Sequence, residues 1–365
     1  MKAKYILPLL AAVVILAGLA VVSFILPDTE FSANENRYLQ QAPQLTGTTL
    51  LDGSFTEDTE DYLADQIVGH DFWVGAASVL RRAAGAKEIN DTYIGRGGYY
   101  FAAVTQDDFD ADNYTDNLDY IAQLFGNNPD KTCRILLAPS PGVILSDRLP
   151  AAAQLYDSDA CFAEAQAVFG EDFIDTREAL LQTDDPYYRT DHHWTSMGAE
   201  SAYTVWAGSV GVQARAYTLS QVTDRFRGTL YSKVLLPGSA WDAICLDDSV
   251  TIESMDCDGE IYDSLYDWKK LEEKDCYQVF MSGNHAKAVI ETGASTGRSL
   301  LLIKDSFANC FVPYLCAHYD TITVIDLRYC RETVQDLADG CTDILVLYEM
   351  SNFAADSNIV RAAVS

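Results

Sequence analysis

Ser299-Leu300-Leu301-Leu302-Ile303-Lys304-Asp305-Ser306-Phe307 is an apolar run that stops abruptly at polar residues. Its length suits a short buried strand, and Ala308-Asn309-Cys310-Phe311-Val312-Pro313-Tyr314-Leu315 behind it predicts a chain that turns helical at first. Ser306 would then stand at a strand-to-helix corner. There its hydroxyl is exposed above the sheet, and helix N-terminal amides point at the space where an oxyanion would form. The blander reading is that Asp305 or Ser306 only caps the helix.

A base for such a nucleophile lies upstream, in Arg189-Thr190-Asp191-His192-His193-Trp194-Thr195-Ser196-Met197-Gly198-Ala199, which holds two of the five histidines. Asp191 and His193 are two apart, so on a near-extended backbone they leave on one side, where a carboxylate can orient an imidazole. His192 is expected to point the other way. Thr195 reads as the N-cap of a helix that tolerates Gly198 in its first turn, which puts the pair on a strand-to-helix loop. A metal site is disfavoured because consecutive histidines diverge and no other cluster at ligand spacing completes a shell. Ser140, behind the strand Cys133 to Pro139, is a rival nucleophile, but Pro139 and Pro141 remove two amide donors from its loop.

These residues resemble the DHHW family, named for Asp191 to Trp194, and more distantly the SGNH-like O-acetyltransferases of alginate and exopolysaccharide modification. The similarity runs from Phe31 to about Phe353, through Glu35-Asn36-Arg37, Leu51-Asp52-Gly53, Ile94-Gly95, Gly283-Asn284-His285 and Lys304-Asp305-Ser306. The resemblance implies a catalytic triad of Ser306, His193 and Asp191, with the Gly283 amide and the Asn284 side chain as oxyanion donors and no cofactor. It further implies a polysaccharide or cell-wall glycan as substrate and a membrane-bound O-acyltransferase as acyl donor. Many of those acetyltransferases have another residue where His192 stands.

At the N-terminus, Tyr5 to Leu26 is an uncharged, almost wholly apolar run behind Lys2 and Lys4. At about 1.5 Å per residue it is long enough to span about 30 Å of hydrocarbon. A cleaved secretion signal would have a shorter apolar core and a small-residue cleavage site, whereas Phe24-Ile25-Leu26-Pro27 follows here. The expectation is a single-pass cell-membrane protein, held by a signal-anchor transmembrane helix over 1–27, with its C-terminal domain extracellular.

Behind the anchor, 28–52 reads as a polar stalk and 53–353 as one α/β domain, SGNH-hydrolase-like, with a mainly parallel sheet flanked by helices. Within it, 212–291 reads as an irregular β-rich insertion or cap, whose Tyr231, Trp241, Tyr262, Tyr266 and Trp268 could stack on sugars or serve packing. Residues 354–365 are a tail. Predicted helices fall at 58–84, 113–125 and 151–169, a hairpin at 93–101, and strands at 133–139, 173–175, 321–325 and 343–348. The net charge of -29 argues against a nucleic acid partner and favours a neutral glycan. Nine cysteines include no C-x-x-C; Cys133, Cys310 and Cys316 read as buried thiols, and Cys257 with Cys276 as a disulfide only in an oxidising compartment. Two functions stay open: acyl transfer through the triad, or a non-catalytic envelope protein that binds glycan or a partner on the same fold.

Overall fold

The computed structural model describes residues 3–32, 34–35 and 37–363, so Lys2 and Asn36 lie outside the described residues. The chain divides into two compact units, Met1–Ile89 with Ser232–Ser239 and Asn90–Tyr231 with Ala240–Ser365. In the first, the apolar run forms the helix Ala3–Ile25, several of whose side chains are not among those described. Among the described residues no helix is long and apolar enough to cross a membrane. The segment expected as a stalk carries local structure. Strands Phe31–Ser32 and Arg37–Tyr38 pair antiparallel, and Arg37 holds Asp65 through two bonds of 2.9 and 2.6 Å. The predicted helical stretch is two helices, Ser54–Asp65 and His70–Ala83, parted where Gly69 adopts φ 74°.

The second unit is built on an eight-stranded sheet. In chain order its strands are β1 Thr132–Ala138, β2 Phe173–Ile174, β3 Ser254–Cys257, β4 Glu260–Tyr262, β5 Lys287–Glu291, β6 Ser299–Lys304, β7 Thr321–Ile325 and β8 Asp343–Glu349. Across the sheet they run β4-β3-β5-β7-β6-β8-β1-β2. From β7 to β2 every pairing is parallel, whereas β5 joins β7 antiparallel and β3 and β4 continue that antiparallel edge. Side chains alternate between two cores, as a period of two requires. Leu136, Leu300, Leu302, Leu345 and Leu347 pack with Trp194, Tyr203 and Trp206 on one face. Ile135, Leu137, Leu301, Ile303 and Val346 pack with Leu118, Ile121 and Phe162 on the other. Helices therefore cover both faces, and the mixed α/β class is as read.

Three expectations need correction. The segment 212–291 is not only a cap, because β3, β4 and β5 belong to the sheet; the ribbon Ser220–Phe226 with Asp242–Leu246 alone forms a separate pair. Those strands are three to five residues long; β3 and β5 bury alternate residues and β4 buries none, so their apolar pattern is too short to stand out. The helix expected from 151 begins at Ser158, capped by Asp157, whose carboxylate accepts from Ala160 N at 3.0 Å; upstream, Ala152 is held at φ 67°. The stretch expected as a tail is packed through its described residues, since Ile359 and Ala362 are buried in the core beside Phe353. All nine cysteines are free, Cys257 and Cys276 included.

The helix Ser196–Ser209 starts as read, with Thr195 Oγ1 accepting from Gly198 N at 3.2 Å. Gly198 is required rather than tolerated: a Cβ there would lie 2.2 Å from Pro186 O, a backbone atom that cannot swing aside. Gly198→Ala is expected to destabilise the protein by about 1–3 kcal/mol, the range for overpacking a close-packed contact, measured as a lowered urea midpoint with an unchanged slope.

Candidate active site

Three segments meet at the carboxyl end of β6. The strand ends at Lys304, Asp305 caps the short 3₁₀ turn Ser306–Cys310 by accepting from Phe307 N at 2.9 Å, and Ser306 is left partly exposed at the corner. Capping and exposure coexist, on neighbouring residues. Asp305 also accepts from Glu349 N and Asn352 Nδ2, at 3.0 and 2.8 Å, which ties the corner to β8.

The loop before the helix Ser196–Ser209 supplies the partner groups. Asp191 is 1% exposed, and its Oδ1 accepts from His193 N at 3.0 Å and from His193 Nδ1 at 2.5 Å. An ionised carboxylate only accepts, so the ring proton sits on Nδ1 and Nε2 carries the lone pair. Nε2 lies 2.8 Å from Ser306 Oγ. Burial alone would raise the Asp191 pKa, but His192, His193 and the hydrogen bonds from His193 outweigh it and hold the carboxyl well below its ordinary value. The sequence-read trio Asp191, His193 and Ser306 is thus brought into one hydrogen-bonded line.

Several members of the site carry no sequence signal. Thr229 donates to Asp191 Oδ2 from both N, at 2.7 Å, and Oγ1, at 3.0 Å. For that amide to arrive, Gly228 must pass so close that a Cβ would fall 2.0 Å from Asp191 Oδ2. Asp242 accepts from Arg189 N, Thr190 N and Thr190 Oγ1 at 2.9, 2.8 and 2.6 Å, which shapes the loop leading into Asp191. Tyr277 stacks on His193 with ring centroids 3.9 Å apart and an interplanar angle of 12°, while its hydroxyl donates to Ser306 O at 3.0 Å. Trp194, fully buried, donates from Nε1 to Phe307 O at 2.9 Å, joining the histidine loop to the serine corner.

His192 does not point away. Its ring lies beside that of His193, centroids 3.9 Å apart and tilted by 37°, and its Nδ1 is 2.7 Å from Thr229 Oγ1. The expected divergence fails because the His193 N bond to Asp191 Oδ1 bends the chain into an Asx-type turn, where side chains no longer alternate. The ligand-type atoms of Asp191, His192 and His193 consequently cluster within 4.8 Å of one another. Both Asp191 oxygens and both His193 nitrogens are already engaged by hydrogen bonds, so this geometry reads as a proton relay rather than a cation shell.

The other expected residues divide. The Gly283 amide donates to Phe280 O at 3.1 Å, within a turn where φ is 98°, and so is removed as an oxyanion donor. Asn284 is exposed, with Oδ1 accepting from Lys304 Nζ at 2.9 Å and Asn309 Nδ2 at 3.1 Å, which turns its own amide nitrogen outward from that network. Lys304 is buried, and burial pushes its pKa down to about 8. Ser140 Oγ bonds to Tyr156 Oη at 2.7 Å and Glu349 Oε1 at 2.8 Å, so its hydroxyl is held by a phenol and a carboxyl group and not by an imidazole. Of the aromatic residues named in the β-rich segment, Tyr266 is buried while Trp241 and Trp268 are exposed.

Known proteins share this arrangement of chain. The family model described as DHHW protein matches residues 170–325, a span that holds both Asp191 and Ser306. No curated protein matches in sequence. Among solved structures, a DHHW family protein from Eubacterium siraeum DSM 15702 is 19% identical, with 75% of this chain and 95% of that one covered and a TM-score of 0.62. Bacillus cereus PatB1, solved with a sulfonyl adduct, is 20% identical over 75% and 99% of the two chains, with a TM-score of 0.61. The O-acetyltransferase domain of Pseudomonas putida AlgJ is 13% identical over 73% and 92%, with a TM-score of 0.48. The resemblance carried by Asp191 to Trp194 therefore holds: residues 170–325 match the DHHW family, on a fold similar to that of the E. siraeum protein and PatB1.

Proposed function

We propose that the protein is a membrane-anchored extracytoplasmic acyl-transfer enzyme of SGNH-like type, an O-acetyltransferase or acetylesterase acting on a cell-envelope or exopolysaccharide glycan. The observation that carries this reading is the line Asp191, His193, Ser306, with contacts of 2.5 and 2.8 Å. In the proposed cycle the Ser306 hydroxyl gives its proton to His193 Nε2 as Oγ attacks the acyl carbonyl, and Asp191 supports the imidazolium that forms. The Ser306 amide at the head of its turn and the Asn284 side-chain amide are the proposed oxyanion donors. The donor alcohol leaves with the proton from His193. The acyl group then passes to a sugar hydroxyl, and a membrane-bound O-acyltransferase is the proposed source of acyl groups.

Anchoring is proposed from the uncharged run Tyr5 to Leu26. Val13, Val14, Val21, Val22 and Phe24 are exposed on its helix, and a row of apolar side chains of this kind is covered most simply by lipid. Protease added outside intact cells should digest the large domain while the protein fractionates with membranes. A soluble form beginning near Asp28 in the culture medium would instead make the segment a cleaved signal.

A fluorophosphonate probe tests the nucleophile. The folded wild-type protein should be labelled at Ser306, and Ser306→Ala should lose labelling and ester turnover while changing stability by no more than about 1 kcal/mol. Repeated absence of label on folded protein would leave the binding-protein alternative.

His193→Ala should lower turnover by roughly a thousandfold or more, because the hydroxyl loses its base. Asp191→Asn should cost a similar factor, since an amide can neither fix the tautomer nor support the charge. Both need matched thermal unfolding curves. Retention of more than about a tenth of wild-type turnover by either variant would contradict the relay.

A further inference from the structure

His192 has no part in the cycle above, yet its ring is held, by a hydrogen bond at Nδ1 and by the neighbouring ring of His193. The Thr229 hydroxyl has one hydrogen, which it donates to Asp191 Oδ2, so the 2.7 Å contact with His192 must be an Nδ1–H donated to Thr229 Oγ1. That fixes the neutral tautomer with its lone pair on Nε2. Both imidazoles turn their Nδ1 edges toward the same carboxylate, His193 at 2.5 Å and His192 at 3.7 Å from Asp191 Oδ1. In a five-membered ring Nε2 lies on the edge opposite Nδ1. The rings lie side by side, tilted by 37°, and each turns its Nδ1 to the bonded pair of Asp191 and Thr229, so each presents Nε2 away from that pair, the direction in which His193 meets Ser306.

The side chain of His192 is 29% exposed, and Nε2 makes no hydrogen bond among the described residues. The charged and titratable groups acting on this ring are His193, Asp191, Glu349, Asp305 and Asp275. Burial, with the neighbouring His193, pushes its pKa down to about 4, so the lone pair is present at neutral pH. The site thus offers acceptor nitrogens on two adjacent imidazoles, one of which meets the nucleophile. One of them has no use in chemistry that involves a single hydroxyl.

We infer that His192 is the acceptor-recognition residue, its Nε2 receiving a hydrogen bond from a hydroxyl vicinal to the one that is acylated, so that the acceptor class is a 1,2-diol such as a sugar ring presents. The inference rests on the acyl-transfer reading and adds the class of acceptor to it. In the transfer step the first hydroxyl oxygen attacks the carbonyl carbon of acyl-Ser306 as its proton passes to His193 Nε2. The tetrahedral intermediate then collapses, the bond from carbon to Ser306 Oγ breaks, and Oγ takes the proton back from His193. His192 gains and loses no proton. A mono-alcohol bound in place of the diol leaves its nitrogen unpaired once solvent is displaced, which disfavours that acceptor.

The test uses the full chain with p-nitrophenyl acetate as donor, and compares transfer to trans-cyclohexane-1,2-diol with transfer to cyclohexanol by quantifying the acetylated alcohols. The wild type should favour the diol by about tenfold or more beyond the statistical factor of two, the usual reach of one hydrogen bond in discrimination. His192→Phe keeps a ring against His193 but has no nitrogen, and should bring the ratio close to the statistical value. His192→Gln, which can still donate toward Thr229 and offer a carbonyl oxygen, should keep part of the preference and serves if the Phe variant does not fold. Equal transfer to both alcohols by wild type, or an undiminished preference in His192→Phe, overturns the inference. If the wild type neither releases nitrophenolate nor carries acetyl on Ser306, the acyl-transfer reading fails and takes the inference with it.

Discussion

A carboxylate that is 1% exposed is stable as an anion only if donors surround it, and the larger unit is arranged to satisfy Asp191. His193 supplies two donors and Thr229 two more, all between 2.5 and 3.0 Å. Each has a structural consequence. The His193 pair sets the imidazole plane and tautomer, so Nε2 meets Ser306. The Thr229 pair brings a segment 38 residues away in sequence into the site and admits only glycine at 228. Loss of any one of these donors would leave charge uncompensated in a dry place, which costs more than the bond itself is worth.

A second buried carboxylate does for the backbone what Asp191 does for the ring. Asp242, 7% exposed, gathers the amides of Arg189 and Thr190, and burial together with the nearby Asp191 raises its pKa despite these bonds. Two buried acids thus hold one short loop, Asp242 at Arg189 and Thr190 and Asp191 at His193. Tyr277 and Trp194 lock the same loop to the Ser306 corner through Ser306 O and Phe307 O, so that base and nucleophile are fixed by bonds other than the one between them.

What the sequence discloses follows from the range of each interaction. The parallel strands β1, β6 and β8 run for six or seven residues and are mostly buried, long enough for an apolar run to be read, and Thr195 announces its helix by local capping chemistry. Asp191, His193 and Ser306 are legible because their side-chain types are demanded by chemistry. Gly228, Thr229, Asp242 and Tyr277 act through backbone amides, absent volume and ring stacking across long separations, for which no residue type is diagnostic. His192 was misplaced for a different reason: alternation holds for extended chain, and the Asp191 carboxylate replaces extension with a turn. The antiparallel strands β3 to β5 escaped because three to five residues cannot establish a period against their polar flanks.

The nine unbridged thiols have a consequence for where such a chain can fold. Eight are buried, and burial raises the pKa of Cys133, Cys257, Cys310 and Cys316 to about 12, so almost none of each exists as the thiolate that disulfide exchange requires. The native state therefore neither draws on an oxidant nor offers one a ready target. Its sheet and its Asp191 network are complete in reducing and in oxidising surroundings alike. The vulnerable interval is the one before the core closes, when these same cysteines are unfolded and reactive, and burial, not covalent stapling, is what ends it.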